Sequence, residues 1–452
     1  MFHRKFRYDF LVLATALFFV SCRKWVDEKP PLQIDQNEIF SSDQGFREVL
    51  NGVYLQMGNR SLYGRDLTTG LLSILGRSYD TTISPAIGNL FYQAARYNFQ
   101  DADVRNTFKN IWDSTYFCIG NLNNLLQNIE SRKNVLSPAS YNLYKGEALG
   151  LRAFLHFDLL RMFAPAPAAS GLNTLAIPYA TQLSPYASPA FTTATVIDSC
   201  IADLNNAQSL LGTADNTTSH FTIWAVKGLL ARIYLYKGDF ANAQSSALAV
   251  INSNKFPLST SNSDLMFTKE HLFSLYSSIS YAIAYNKSVF NTNPPLGFTT
   301  LSQTALFVTG GGSATDWRKS FLDPLTGVAL GNTISPRKYY SSGQSTVNVL
   351  PMIRATEMYY IAAESANALQ DSLTATSMLD SVRVHRNLVK YTQTALKRDS
   401  INIEIAKEYQ KEFLGEGQMF YFYKRKNLPI TSLPYTKVPV VSNASYVFIK
   451  PE

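Results

Sequence analysis

The sequence predicts a mostly α-helical fold, in which tetratricopeptide-like helix pairs form a superhelix beside a large region of loops and short strands. Three observations support this prediction. Apolar residues recur at three- and four-residue intervals through most of the long segments, which is the spacing of amphipathic helices. One helix-hairpin pattern occurs twice, as in repeat folds. Between the two copies, residues 255–350 are rich in Ser, Thr, Gly and Asn with only short alternating patches, a composition typical of loops and strands.

The composition indicates a folded chain with a large core and argues against nucleic-acid binding. Of 452 residues, 46% are hydrophobic and 16% are charged, so a chain of this length can bury an extensive core. The net charge of +8 comes from scattered Lys and Arg residues, whereas a nucleic-acid interface needs them clustered. The 26 Tyr and 28 Phe residues suit a core or a sugar-stacking surface, and a core is the default interpretation.

Residues 1–21 have the features of a secretory signal peptide. A basic stretch precedes an apolar run of 11 residues that ends at Val20, too short to cross a hydrocarbon layer of ~30 Å. The next residues complete the tetrapeptide FVSC, which resembles a bacterial lipobox. We expect cleavage before Cys22, which would then hold a lipid anchor, and a polar tether over residues 22–40. The alternative is an ordinary buried or free cysteine.

The first half of the body is predicted to contain three long helices. Ser42 or Asp43 is expected to cap the first, and the second should begin near Asp101. The third should begin at Pro138, which follows a serine. Apolar residues surround almost its whole circumference, so this helix should be buried. Residues 165–190 are rich in Pro, Ala and Ser and should form a surface loop.

The second half is predicted from its repeats. A helix pair fits residues 193–211, and a last long helix fits 401–425. The repeated hairpin has a small residue, an aspartate eight residues later and a second small residue after four more. The two copies are Ala231, Asp239, Ala243 and Ala363, Asp371, Ala375. We therefore expect two repeat-bearing parts, 41–254 and 351–425, around a variable excursion at 255–350.

No catalytic set is evident in the sequence. Glu412 and Glu416 lie four residues apart on one helix face and could be read as a glycosidase acid and nucleophile. Structural ion pairs are the better interpretation, because phenylalanines surround both. We expect Glu357 and Glu364 to serve the same structural role with Arg354.

Metal, phosphate and nucleophile motifs are also missing from the sequence. The histidines have no partner at metal-ligand spacing, residues 310–312 lack the Gly-Lys-Ser/Thr of a phosphate loop, and no Gly-x-Ser-x-Gly elbow occurs. We predict a protein without enzymatic activity, metal or cofactor other than the lipid. Cys118 and Cys200 could pair after export, and two buried thiols are an equal alternative.

Seven motifs occur in order along the chain: CRKWVDEKPP, FREVLNGVY, EALGLRAFLHFDLLRMFAPAP, TDWRKSFLD, PRKYY, PMIRATEMYYIAAESAN and KEFLGEGQMFYFYKR. Together they resemble the SusD/RagB family of nutrient-binding outer-membrane lipoproteins from Bacteroidetes. Ala164 replaces a glycine of the family pattern, and Met419 and Phe422 stand where the family has Arg and Asp. These departures affect local packing rather than the resemblance itself.

The resemblance implies a fold of about four tetratricopeptide-like helix pairs with an irregular ligand-binding region. It implies a lipid-anchored, surface-exposed outer-membrane protein that captures an oligosaccharide, glycopeptide or peptide. The implied partner is a SusC-like, TonB-dependent barrel, over which the protein closes as a lid. Two rivals are an adaptor that binds a protein in its repeat groove and a surface glycan hydrolase. A pure adaptor would need no excursion between its repeats.

Ligand contacts are expected outside the repeat helices, where aromatic faces and hydrogen-bonding side chains could meet a sugar. The stretch GRSYDTTISPAIGNLFYQ occupies the place where the family often contributes such contacts. The candidates in and beyond it are Arg77, Tyr79, Asp80, Asn89, Tyr92 and Trp317. For Trp317 and its neighbour Arg318 a structural role is favoured, and Tyr281, Tyr285 and Asn286 are weaker candidates.

Overall fold

The structure is a computed structural model that describes most of the chain beyond the tether. The described residues are 36–80, 90–184, 186, 188–277, 297–309, 315–324, 334–336, 338, 348–436, 438 and 441–451. The predicted signal peptide and Cys22 lie outside them, as do Asn89, the 281–286 candidates and the glycines at 310–312.

Helices dominate the described residues, as predicted. In the first half they are α1 (Gln36–Ile39), α2 (Asp43–Met57), α3 (Leu71–Leu75), α4 (Leu90–Ala95), α5 (Ala102–Ser131), α6 (Pro138–Phe163), α7 (Pro167–Ser170), α8 (Thr193–Leu210), α9 (Ile223–Lys237) and α10 (Phe240–Ile251). In the second half they are α11 (Thr300–Thr304), α12 (Ala355–Ala368), α13 (Ser372–Val384), α14 (Arg398–Glu412) and α15 (Gln418–Arg425).

The strands of the described residues form three small antiparallel sheets. They are β1 (Leu175–Pro178), β2 (Ala190–Thr192), β3 (His271–Tyr276), β4 (Leu322–Pro324), β5 (Ile334–Pro336) and β6 (Val349–Arg354). The pairs are β1 with β2, β3 with β6 and β4 with β5. Tyr276 at the end of β3 lies opposite Val349 at the start of β6. The chain segments before and after residues 277–348 therefore lie side by side. The described part of residues 255–350 contains the loops and short strands that were predicted, and also the short helix α11, which was not.

Side-chain caps begin the first three long helices where the sequence predicts them. The Ser42 hydroxyl accepts a hydrogen bond from the backbone N–H of Gly45 at 3.2 Å. Asp101 caps α5, because Oδ1 accepts from the backbone N–H groups of Asp103 and Val104. Ser137 caps α6, directly before Pro138. Each cap satisfies a backbone donor that has no partner inside its helix.

Helix α6 is the central element of the first half. It is buried along almost its whole length after the first turn, and it packs against α5 on one side and α8 on the other. The prediction of a helix pair over residues 193–211 is wrong. That stretch forms the single helix α8, because its buried face covers α6 rather than a second short helix.

The repeated hairpins are confirmed and share their turn geometry. In the first, Gly238 adopts a left-handed φ of 86° and Asp239 caps α10. In the second, Gln370 has a φ of 69° and Asp371 caps α13. Because α10 also packs against α12, the two hairpins stack directly on each other although the excursion separates them in sequence.

The prediction that residues 401–425 form one long helix is wrong. This part of the chain forms two helices, α14 and α15, separated by a turn in which Gly415 and Gly417 have φ values of 74° and 72°. A side chain at Gly417 would also collide with the carbonyl oxygen of Leu67. Only glycine adopts this backbone without strain, so the two glycines end the helix.

Two further expectations concern thiols and membrane spans. Cys118 and Cys200 are buried free thiols, which decides between the alternatives left open by the sequence. Burial raises the pKa of Cys118 to about 12. Among the described residues, no helix is long and apolar enough to cross a membrane.

Candidate functional site

The carboxylates that might suggest catalysis lie in a buried ion-pair cluster. Arg354 Nη1 donates to Glu412 Oε1 at 2.7 Å, and its Nη2 donates to Glu416 Oε1 at 3.0 Å. Glu412 is fully buried and Glu416 is 6% exposed. Burial alone would raise the pKa of Glu412, but Arg386 and Arg354 hold it well below its usual value. The structural interpretation of this glutamate pair is confirmed.

The cluster is larger than the sequence suggested. Its carboxylates are Glu270, Asp316, Glu408, Glu412 and Glu416, and its cations are Arg318, Lys338, Arg354, Arg386 and Lys411. Arg318 is fully buried, and its Nη1 lies 2.7 Å from Glu408 Oε2, so its structural role is confirmed. The equal numbers of opposite charges compensate one another, as buried charges must.

The partners predicted for Glu357 and Glu364 are wrong, although both residues do form structural ion pairs. Glu357 binds Arg232, whose Nε lies 2.7 Å from Oε1. Glu364 is held by Arg425, whose two terminal nitrogens each lie 2.7 Å from a carboxylate oxygen. Arg354 cannot serve either of them, because its guanidinium is engaged by the glutamates of the turn between α14 and α15.

Three of the predicted ligand contacts lie inside the protein. Tyr79 is fully buried, and its hydroxyl donates to the carbonyl of Thr69 at 2.8 Å. Arg77 is also buried, with its Nε 3.0 Å from the Thr436 hydroxyl. Asp80 is 5% exposed. In this conformation these side chains support the local fold, and their role in binding stays a prediction.

Tyr92 and Trp317 are only partly buried. Tyr92 lies on α4, and the guanidinium of Arg96 stacks 3.5 Å from its ring centroid. Trp317 begins a 3₁₀ turn, Trp317–Phe321, and its backbone N–H donates to the carbonyl of Arg386 at 3.1 Å. Tyr92 and Trp317 are therefore the predicted contacts that keep part of their surface exposed in the described structure.

A polar cleft of about 660 Å³ lies between the turn after α2, helix α4 and the first turns of α5. Its lining consists of Asn59, Arg60, Ser61, Arg65, Asp66, Leu90, Asp103, Asn106, Thr107 and Asn110. The volume is within the range of about 300–1,000 Å³ that is typical of ligand sites. The lining consists mostly of amides, hydroxyls and charged groups, which suits a ligand rich in hydroxyls.

Two asparagines in this cleft are arranged for binding. Asn106 and Asn110 are exposed, and their spacing of four residues places them on one face of α5. Neither side chain forms a hydrogen bond to another residue in the part of the chain that the structure describes. An amide offers both a donor and an acceptor, so each could bind a hydroxyl pair of a sugar.

The floor of the cleft is a buried ion pair. Arg65 Nε donates to Asp66 Oδ1 at 2.7 Å, and both residues are 4% exposed. Burial raises the pKa of Asp66, and the positive charge of Arg65 partly offsets that effect. Sequence reasoning missed this cleft, because only Leu90 of its lining lies in the stretch predicted to contact ligand. The polar residues spaced along α5 were the one further signal in the sequence.

A second cleft, of about 310 Å³, is lined by aromatic residues of α5 and the loop after β1. Its lining includes Trp112, Tyr116, Asn123, Leu183 and Tyr186. Two of its polar side chains are already engaged. The Tyr116 hydroxyl donates to the carbonyl of Pro178, and the Asn123 amide donates to the carbonyl of Ala180, each at 2.9 Å. It therefore offers fewer hydrogen bonds to a sugar than the polar cleft.

Two family models match separate parts of the chain. One, for SusD-like proteins described as "Starch-binding associating with outer membrane", matches residues 24–235, and the SusD/RagB model, described as "SusD family", matches residues 303–436. The chain belongs to the SusD/RagB family. The two matches include the polar cleft, the first repeat up to α9 and the buried ion-pair cluster except Glu270.

Named relatives of this SusD/RagB chain are similar over part of their length. It is 26% identical over 253 residues to SusD-like protein P2 of Formosa agariphila, covering 55% of this chain and 46% of that protein. It is 26% identical over 151 residues to SusD-like protein P38 of the same organism, covering 33% of this chain and 27% of that protein. The matched region thus spans less than half of either relative.

Solved structures show the same fold. A SusD superfamily protein from Bacteroides thetaiotaomicron superposes with a TM-score of 0.69 at 24% identity, covering 86% of this chain and 89% of that one. A SusD-like carbohydrate binding protein from Bacteroides vulgatus superposes with a TM-score of 0.70 at 19% identity, covering 85% and 83%. The predicted fold class, a mostly helical SusD-type architecture with tetratricopeptide-like pairs, is confirmed.

Proposed function

We propose that this protein is a non-enzymatic binding protein of the outer membrane that captures an oligosaccharide in the polar cleft. The observation that supports this most directly is the pair of exposed amides, Asn106 and Asn110, facing a cleft of about 660 Å³ in a SusD/RagB-family chain. Delivery to a SusC-like, TonB-dependent transporter is the second part of the proposal, and it rests on the family resemblance.

The binding step can be tested by isothermal titration of the purified protein against a panel of oligosaccharides and peptides. We expect binding to one glycan class, and a tenfold or greater loss of affinity in the double variant Asn106→Ala/Asn110→Ala, since each lost hydrogen bond costs about 0.5–1.5 kcal/mol. Asn121→Ala, on the same helix but away from the cleft, is the matched control. Binding to peptides alone would contradict the sugar ligand.

The membrane step depends on Cys22, which lies outside the described residues. Cys22→Ala should move the protein from the membrane fraction to the soluble fraction. Continued membrane attachment of that variant would contradict the lipid anchor.

The transporter step can be tested separately. Purification of the anchored protein from detergent-solubilised outer membranes should bring a TonB-dependent barrel with it, identified by mass spectrometry. Copurification of other proteins without such a barrel would favour the adaptor alternative.

A further inference from the structure

A small internal cavity of about 30 Å³ lies between helices α6, α9, α12, α14 and α15. It is separate from the polar cleft and from the buried ion-pair cluster. This space is enough for a small guest, since a cavity needs about 10–15 Å³ of it to hold one water molecule. Gln418, which is partly exposed, lies at its edge, so a small solute could reach it from solvent.

Four buried hydrogen-bond donors of the cavity lining have no partner among the described residues. They are Arg161 Nε, Arg232 Nη1, Tyr236 Oη and Tyr421 Oη. These residues are 3%, 6%, 5% and 6% exposed, respectively. A buried polar group without a partner costs about 1–3 kcal/mol, so four around one cavity point to a guest that binds them.

Each of the two arginines already binds one carboxylate. Arg232 donates from Nε to Glu357 Oε1 at 2.7 Å and from Nη2 to Glu357 Oε2 at 2.6 Å and the Met352 carbonyl at 2.8 Å. Its Nη1 is the nitrogen left over. Arg161 binds the Asp158 carboxylate through Nη2, which leaves its Nε.

The ring of Tyr421 helps to hold Arg161 in place. The guanidinium carbon of Arg161 lies 3.6 Å from the Tyr421 ring centroid and 4.8 Å from that of Phe157. The arginine is therefore fixed between two rings, and it cannot turn its Nε toward another acceptor without losing these contacts. These contacts therefore fix the direction in which Arg161 Nε donates.

The chemistry of the lining favours an acceptor as the guest. Arginine nitrogens can only donate, and the two tyrosine hydroxyls each have a proton to donate. One water molecule can accept only two hydrogen bonds, and its own two protons also need acceptors. A halide ion accepts from all four groups and donates none.

We propose that this cavity is a binding site for a halide ion, chloride in a natural setting, held by Arg161, Arg232, Tyr236 and Tyr421. The ion connects α6 and α9 of the first half to α15 of the second. Its role is structural, because it lies away from the polar cleft.

A crystal of the full chain grown in sodium bromide tests the site directly, because bromide scatters anomalously. We expect an anomalous peak within hydrogen-bonding distance of Arg161 Nε and Arg232 Nη1. Ordinary density without an anomalous signal would identify water and overturn the proposal, and so would no density at all.

Thermal unfolding provides a second test in solution. The melting temperature in chloride or bromide should exceed that in gluconate at the same ionic strength, and Tyr236→Phe/Tyr421→Phe should lose this difference. Tyr141→Phe, whose hydroxyl bonds Glu130 on the surface, is the matched control and should retain it. Equal melting temperatures of the wild-type protein in all three salts would overturn the proposal, even if the double variant fails to fold.

Discussion

Arg386 Nη2 lies 2.9 Å from both carboxylate oxygens of Glu270, a residue 116 positions earlier in the chain. Glu270 lies in the excursion, directly before β3, and Arg386 follows the end of α13. The same arginine donates from Nε to Glu412 Oε2 at 3.0 Å. One buried guanidinium thus joins the irregular region to the second repeat and to α14.

Removing that guanidinium should destabilise the whole protein. Arg386→Leu leaves Glu270 and Glu412 buried with fewer cations, and breaking a buried pair from one side costs about 3–5 kcal/mol. Lys109→Leu, which removes an exposed pair with Asp113, is the control and should cost less than about 1 kcal/mol. Urea denaturation measures both. Similar small losses in the two variants would show that the cluster does not stabilise the fold.

The crossing of α6 and the start of α9 should depend on a glycine. A Cβ at Gly150 would lie 2.6 Å from Phe221 Cε1, so Gly150→Ala should overpack the core and cost about 1–3 kcal/mol. Gly52→Ala on the exposed face of α2 meets nothing within 4 Å and should stabilise by about 0.5–1 kcal/mol. Opposite signs are expected in thermal or urea unfolding. A stabilising Gly150→Ala would contradict the close packing.

The sequence predicted most of the helical body because its signals are local. Helix caps such as Ser42 and Asp101 and the repeated aspartates act within a few residues of themselves, so their effect is visible in a short window. The failures also have local causes. Gly415 and Gly417 need a left-handed backbone that apolar periodicity does not register, and residues 193–211 contain enough apolar positions for two helices.

The sites were harder to predict because their residues come together from distant parts of the chain. Glu364 is 61 residues from Arg425, and no spacing rule connects them. The polar cleft combines the turn after α2 with one face of α5, and neither part has a distinctive motif. The aromatic residues of the 77–92 stretch suggested a sugar platform, but Tyr79 is used in the core.

Tyr92 and Tyr79 should therefore behave differently when each is changed. Tyr92→Ala removes a partly exposed ring from α4, the helix that lines the polar cleft through Leu90, and we expect a threefold to tenfold loss of glycan affinity, since an aromatic contact contributes about 0.5–1.5 kcal/mol. Tyr79→Phe removes the hydrogen bond to Thr69 and should cost about 0.5–1.5 kcal/mol of stability with no change in affinity. Titration calorimetry and urea unfolding separate the two effects. Lost affinity in Tyr79→Phe alone would reassign the binding surface.

The ion pair between Glu364 and Arg425 should make stability depend on pH in the acid range. Burial alone would raise the pKa of Glu364, but the charges of Arg425 and Lys426 lower it to about 2. In the unfolded chain the pKa of a glutamate is about 4.3. Because the folded-state pKa is the lower one, the stabilisation is complete above about pH 4.3 and is lost as the pH falls toward 2.

The variant Glu364→Gln isolates this contribution. At pH 7 it should reduce the free energy of unfolding by about 3 kcal/mol, the equivalent of the pKa difference, and the gap to the wild-type protein should narrow steadily between pH 4.3 and pH 2.5. Glu48→Gln changes an exposed carboxylate on α2 and should leave the free energy of unfolding nearly unchanged throughout. Urea unfolding at pH 7, 4 and 2.5 measures all three proteins. A gap that stays constant down to pH 2.5 would mean that the carboxylate of Glu364 contributes through packing and not through its charge.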